Sequence, residues 1–145
     1  MSKKSFYVDT CIYLNLWQKE GDEKFGIPYW KLAKEFFEKV ESENKTVYYS
    51  GYLLKELSFI LTESEFTKKR LMFESSHNFK RIKLTLNEYE LARKIESKDR
   101  GVGFYDIIHM LLSKKTNSIL VTRDRALLKL AKKYNIRAKN PEQIL

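Results

Sequence analysis

Four acidic residues stand at positions suited to gripping a cation. Asp9 directly follows the strand-like run Ser5-Phe-Tyr-Val8, and Asp124 comes just after the run Ser118-Ile-Leu-Val-Thr122. Asp106 enters an apolar helical stretch behind a loop with Gly101 and Gly103. Glu56 lies inside another helical stretch, flanked by Leu53, Leu54 and Leu57. Each has a local explanation when taken singly. Asp9 and Asp124 are suited to capping helices that begin near Cys11 and Arg125, Asp106 to favouring a helix N-terminus, and Glu56 to a solvated helix face. Together they point further. In an open parallel sheet, ligands bind beyond the carboxyl ends of the strands, and Asp9 and Asp124 share that rim. Carboxylates crowded into one cleft repel unless a cation balances them. Hard ions such as Mg²⁺ or Mn²⁺ match an all-oxygen donor set. Such an ion supplies hydroxide near neutral pH and offsets charge developing on phosphate oxygens, so the chemistry indicated is phosphodiester hydrolysis. One carboxylate would remain to help accept a proton from the attacking water, and no Ser or Cys nucleophile is needed.

The elements that must position these residues alternate between strand and helix patterns. Ser5–Val8 reads as a first strand, and Pro28 to Val40 carries Trp30, Leu32, Ala33, Phe36, Phe37 and Val40 at helical spacing. Thr46–Tyr49 reads as a second strand, with Ser50 as the N-cap of a helix reaching Leu61. An amphipathic stretch follows from Phe66 to about Phe73. Lys80–Leu84 reads as a third strand, and Asn87 with Glu90 as a capping box opening a helix to about Ser97. Phe104–Leu112 is a strongly apolar helix, Ser118–Thr122 a buried strand, and Ala126–Lys133 a helix. Asn135–Ala138 reads as a short last strand, and Pro141 as the start of a terminal turn. The polar segment Gln18–Pro28, with two glycines, reads as a mobile loop. This alternation predicts one α/β domain over residues 1–145, with a mainly parallel sheet of about four to five strands flanked by helices.

Composition narrows the partners. Lys and Arg number 28 against 19 Asp and Glu, a formal net charge of +9, which favours nucleic acid first and an acidic protein second. No apolar run reaches membrane-spanning length, the opening Met-Ser-Lys-Lys-Ser lacks a signal peptide's apolar segment, and Cys11 has no second cysteine to pair with. A cytoplasmic protein with no membrane partner is expected. Arg123 and Arg125 flank Asp124 and are the foremost candidates to hold a nucleic-acid backbone; Lys68, Lys69, Arg70, Lys80, Arg81, Lys83, Lys114 and Lys115 are further candidates. Lys114-Lys115 and Lys132-Lys133 read more simply as solvated helix faces. Trp17, Tyr29 and Trp30 are able to stack on unpaired bases, against which stands ordinary packing in a core or dimer interface. His77 reads as a surface residue. His109, one turn after Asp106, reads as a structural hydrogen-bonding residue, and Cys11 as packed beneath the site rather than reactive.

In order and spacing, the motifs resemble the PIN-domain family, in particular the VapC-type toxins. Tyr7-Val-Asp-Thr-Cys-Ile12 resembles its first motif, Ser50-Gly-Tyr-Leu-Leu-Lys-Glu56 its second, Phe104-Tyr-Asp-Ile-Ile-His109 its third, and Leu120-Val-Thr-Arg-Asp-Arg-Ala-Leu127 its fourth. The ending Asn140–Leu145 resembles the family's as well. The resemblance implies an endoribonuclease using Mg²⁺ or Mn²⁺, with Asp9, Glu56, Asp106 and Asp124 as ligands directly or through water. Thr122 matches a hydroxyl position that supports the fourth motif, and Thr10, in a supporting role, fits the first. At position 109 relatives often carry a small residue, whereas His109 here is long enough to lean toward the site. RNA as substrate, a homodimer and a small antitoxin protein as partner are also implied. An RNA-binding or RNA-processing module of the same fold, without a toxin role or without catalysis, is the alternative. A haloacid-dehalogenase-type phosphatase would need a second Asp where Cys11 stands, and a receiver domain an acidic pair before its first helix, which the sequence lacks.

Overall fold

The computed structural model describes residues 4–145. Five strands form one sheet in the order β3-β2-β1-β4-β5, and every pairing is parallel. They are β1 (Ser5–Val8), β2 (Thr46–Tyr49), β3 (Phe79–Arg81), β4 (Ile119–Val121) and β5 (Ala138–Lys139). The helices are α1 (Thr10–Trp17), α2 (Tyr29–Ser42), α3 (Gly51–Ile60), α4 (Glu63–Ser75), α5 (Leu86–Lys98), α6 (Phe104–Lys115) and α7 (Arg125–Lys133), and a 3₁₀ turn covers Pro141–Gln143. From β1 the chain builds outward to β2 and β3, then returns to the other side of β1 for β4 and β5. The order therefore reverses between β1 and β4. The carboxyl ends of those two strands splay helices to opposite faces and open a crevice.

Alternation along β1 divides the core. Phe6 and Val8 face one layer with Ile119 and Val121, against Ile12, Phe36, Leu53 and Phe73. Tyr7 and Leu120 face the other, against Ile107, Ile108, Leu112, Leu127 and Leu130. Each such side chain, fully buried, contributes roughly 1.5–3 kcal/mol. The first layer is dominated by rings. Tyr13 packs on Phe37 and Phe73 with centroids 5.2 Å apart in both cases, and on Trp17 at 5.3 Å. Trp17 thus belongs largely to this packing, and Lys69 covers its ring at 4.6 Å.

Local signals end the helices. Asn44, Asn117 and Asn135 adopt positive φ immediately after the C-caps of α2, α6 and α7, the conformation Asn tolerates best after glycine. Asn135 is therefore a helix terminator rather than the start of a strand, and β5 begins three residues later than expected, at Ala138. The capping box of α5 also differs from expectation. Thr85 and Glu88 form it, not Asn87 and Glu90: Glu88 N–H donates to Thr85 Oγ1 at 3.2 Å, and Thr85 N–H donates to Glu88 Oε1 at 2.8 Å. Both pairs share the same spacing, and the one used starts the helix two residues earlier, at Leu86. The alternation of β3 runs on to Leu84 in sequence, but its ladder stops at Arg81, because beyond the bond from Ile82 N–H to the Tyr49 carbonyl the chain turns away toward α5. The segment before α2 folds back on itself through an Asp22–Ile27 bridge. Among the described residues, no helix is long and apolar enough to cross a membrane.

Candidate metal centre

The crevice at the β1/β4 switch point is an open cleft of about 480 Å³. Asp9, Glu56, Asp106 and Asp124 all line it, with Thr10, Cys11, Leu14, Ile60 and Arg123. All four carboxylates named from sequence therefore meet in one place, although they come from four separate parts of the chain.

Asp9 is buried and tightly held. It is the N-cap of α1, with Oδ1 accepting from Thr10 N–H at 2.8 Å. Its Oδ2 accepts from the Thr122 hydroxyl at 2.8 Å and from the Cys11 thiol at 3.2 Å. The Asp9 backbone N–H donates to the Val121 carbonyl at 2.9 Å, so the residue is stitched directly to β4. Thr122, itself fully buried, also accepts from Asp124 N–H at 3.1 Å. One hydroxyl thus orients both aspartates. Asp124 caps α7 through Oδ1, which accepts from Ala126 N–H at 2.9 Å and Leu127 N–H at 3.2 Å. The capping role and the cleft position coincide for both residues. Burial and the Asp9 charge push the Cys11 thiol well above its ordinary range, which keeps it protonated and donating.

Glu56 and Asp106 approach from the helical side. Ser50 caps α3, accepting from Leu53 N–H at 3.2 Å, and this sets the helix that carries Glu56. Glu56 is half-buried, and its Oε1 accepts from the Thr10 hydroxyl at 2.9 Å and from His109 Nε2. His109 is fully buried on α6, and its Nδ1 lies 2.7 Å from the Tyr7 hydroxyl. Burial lowers the affinity of this ring for a proton, but the bond to Glu56 and the charges of Asp9, Glu56 and Asp106 outweigh it, and the net shift is upward. Asp106 sits in the first turn of α6. Burial first, then the charges of Asp9, Glu56 and Asp124, push its carboxyl up to about 7, against a lowering by His109. This is the electrostatic cost of crowding carboxylates, and a bound cation removes it. Among the described residues, no three His, Cys, Asp or Glu side chains are arranged to hold a metal ion as they stand. The carboxylate oxygens lining one cleft are donors of the kind a hard divalent ion takes.

The rim divides the basic candidates. Arg123 lines the cleft, but its guanidinium is already engaged: Nη1 donates to Glu142 Oε2 at 2.9 Å, Nη2 lies 2.8 Å from Oε1, and its plane covers the Tyr29 ring at 3.9 Å. It clamps the terminal 3₁₀ turn and the start of α2 to the cleft. Arg125 is exposed in the first turn of α7, beside Asp124. Lys115 is tied to Glu88 at 2.9 Å and to the Lys83 carbonyl at 2.8 Å, and Arg70 pairs with Glu74. His77 is an exposed residue bonded to Asn44, as expected. A more enclosed cavity of about 310 Å³, lined by rings such as Tyr13, Trp17, Phe37 and Phe79, lies apart from the four carboxylates.

Sequence reasoning passed over Tyr7 as a polar partner. Its only signal was a tyrosine at an inward-facing position of a strand otherwise filled by Phe and Val. The apolar floor supplied by Leu14 and Ile60 was missed too, since neither stands within a motif.

The fold and the cleft define a class. The PIN domain family model matches residues 6–133, and the chain belongs to that family. A search among curated proteins found no match. Among solved structures, VapBC2 from Rickettsia felis, bound to a DNA fragment from its promoter, is similar with a TM-score of 0.64 at 21% identity, covering 94% of this chain and 98% of that one. VapBC-1 from nontypeable Haemophilus influenzae gives 0.62 at 14% identity, with 95% and 98% covered. FitAcB from Neisseria gonorrhoeae gives 0.61 at 14%, with 94% and 98% covered. At these identities the likeness is one of fold.

Proposed function

We propose that this PIN domain is a divalent-metal-dependent endoribonuclease acting as the toxin of a toxin–antitoxin pair. The observation that carries the reading is the convergence of Asp9, Glu56, Asp106 and Asp124 on one cleft at the sheet's switch point. PIN domains are generally nucleases that use divalent metals, and the likeness to VapBC and FitAB structures favours a small antitoxin as partner. A homodimer and a cytoplasmic setting belong to the same proposal.

In this reading Asp9, Asp106, Glu56 and Asp124 hold Mg²⁺ or Mn²⁺ directly or through water. The ion, when bound, supplies a hydroxide equivalent near neutral pH and offsets charge on the scissile phosphate. The chain's own residues do the rest. Thr122 and Thr10 fix the carboxylates of Asp9 and Glu56 in place before substrate arrives. One of the cleft carboxylates would remain to help accept a proton from the attacking water. Arg125, exposed beside Asp124, contacts the RNA backbone, while Arg123 chiefly braces the rim.

The test is cleavage of single-stranded RNA by the purified chain with and without Mn²⁺, beside Asp9→Asn and Asp106→Asn. Metal-dependent cleavage that both substitutions abolish is expected. Tight RNA binding with no cleavage at any metal concentration would instead establish a non-catalytic binding module. Relief of growth arrest by a co-expressed small protein tests the toxin role separately.

A further inference from the structure

We propose that His109, backed by Tyr7, is a positioning residue that holds Glu56 with one carboxylate oxygen anchored and the other free to meet a cation; this rests on the metal-dependent reading of the cleft. Oε1 of Glu56 accepts two hydrogen bonds, from Thr10 on α1 and from His109 on α6. Oε2 accepts none among the described residues, while Glu56 still lines the cleft. Two donors arriving on one oxygen from different elements fix the plane of the carboxylate and leave the second oxygen to the cleft.

In its neutral Nε2–H form, His109 allows every bond behind it to be satisfied. With Nε2–H donating to Glu56, Nδ1 is left as an acceptor, and the Tyr7 hydroxyl at 2.7 Å donates to it. The Tyr7 oxygen then accepts from the Ser50 hydroxyl at 2.7 Å, and Ser50 accepts from Leu53 N–H at 3.2 Å. Every member gives one bond and takes one. The relay leaves the first turn of α3, crosses β1 and α6, and returns to α3 at Glu56. It therefore reinforces the rotation of α3 that burial of Leu53, Leu54 and Leu57 favours, with Glu56 facing the cleft. Packing alone does not account for the ring. Tyr7, Ser50 and His109 are all fully buried, and a Leu at position 109 would fill space there without desolvating an imidazole. A polar chain buried this deeply is stable only when each link is satisfied, and here each is.

The test measures Mn²⁺ affinity by titration calorimetry on the full chain, with thermal melts to establish folding. His109→Leu is expected to weaken Mn²⁺ binding by about 10–100-fold, the range seen when a ligand's supporting partner is removed. His109→Gln, whose amide N–H can reach the same oxygen, recovers most of the loss. Tyr7→Phe, isosteric and conservative, weakens binding by a few-fold and keeps the test alive should His109→Leu fail to fold. Unchanged affinity in a folded His109→Leu or Tyr7→Phe variant overturns the proposal, as does a His109→Gln variant no better than the leucine. The relay is also read without metal: the wild-type imidazole N–H proton should resonate downfield of the amides and vanish in Glu56→Ala. Absence of that signal from the wild type overturns the relay. Its presence in a wild-type protein that binds no Mn²⁺ supports the relay while the metal-dependent reading fails.

Discussion

On one lip of the cleft, Asp9 and Asp124 are held by the backbone that leaves two neighbouring strands. On the other, Glu56 and Asp106 are held by helices whose rotation depends on side chains reaching across the sheet. The first lip starts from local caps and is closed by one bond, from Thr122 to Asp9, across 113 residues. Asp9 bonds the residue after it, Asp124 bonds the start of its own helix, and one hydroxyl, Thr122, ties the two together. The second lip has no local cap to hold Glu56: Thr10 meets it across 46 residues, and behind it Tyr7 meets His109 across 102. A shared cleft does not imply a shared means of construction. The strand lip is made rigid by caps that double as candidate ligands, and the helix lip by a buried polar relay.

The largest effect expected from breaking either lip is on cleavage. Asp9→Asn and Asp106→Asn should each lower RNA hydrolysis by about 10²–10⁴-fold, measured as initial rates in saturating Mn²⁺. Retention of full activity by either variant would remove that residue from the site. The next effect separates the lips by stability. Thr122→Val should cost roughly 1–3 kcal/mol in urea unfolding, because it removes the Asp124 N–H acceptor and leaves Asp9 Oδ2 with the Cys11 thiol alone. Little or no loss would show that the strand lip does not depend on that hydroxyl.

Asp106 should behave in the opposite sense. Its carboxyl is raised to about 7, so the folded, metal-free protein binds this proton more tightly than the unfolded chain. The group favours folding at low pH. Metal-free stability should therefore decline as pH rises from about 4, where the unfolded carboxyl titrates, through 7. Asp106→Asn should flatten that decline and stabilise the metal-free protein at pH 8 by roughly 1–2 kcal/mol, after allowance for partial solvent exposure. Thermal melts in chelator across that pH range provide the check, and a destabilised Asp106→Asn protein at pH 8 would contradict the crowding. The smallest effect belongs to the cap of α7. Asp124→Ala should cost about 1 kcal/mol and Asp124→Asn only a fraction of that, since Asn retains the capping oxygen. Equal losses in the two would mean that the charge, not the cap, stabilises the helix.

Much of this was legible along the chain because it rests on local rules. Ser50 before an apolar helical run, Asp9 at a strand end and Asp124 at a helix start each announce a cap, and alternation of strand and helix announces a parallel sheet. Where two local signals competed, sequence alone did not choose. Thr85–Glu88 and Asn87–Glu90 have the same spacing, and the helix starts from the first. Arg123 and Arg125 look equivalent in sequence as well. Only the fold brings Glu142 and Tyr29 around the first and leaves the second in solvent.

The order of the elements, the four carboxylates and the local caps of Asp9 and Asp124 could be read along the chain, because caps and strand ends act over a few positions. The tertiary structure alone decided which way α3 turns and what holds Glu56. That outcome depends on Tyr7, Ser50, Glu56 and His109, which are far apart in the chain, and a hydrogen bond of under 3 Å becomes possible between such residues only once the sheet has brought their elements together.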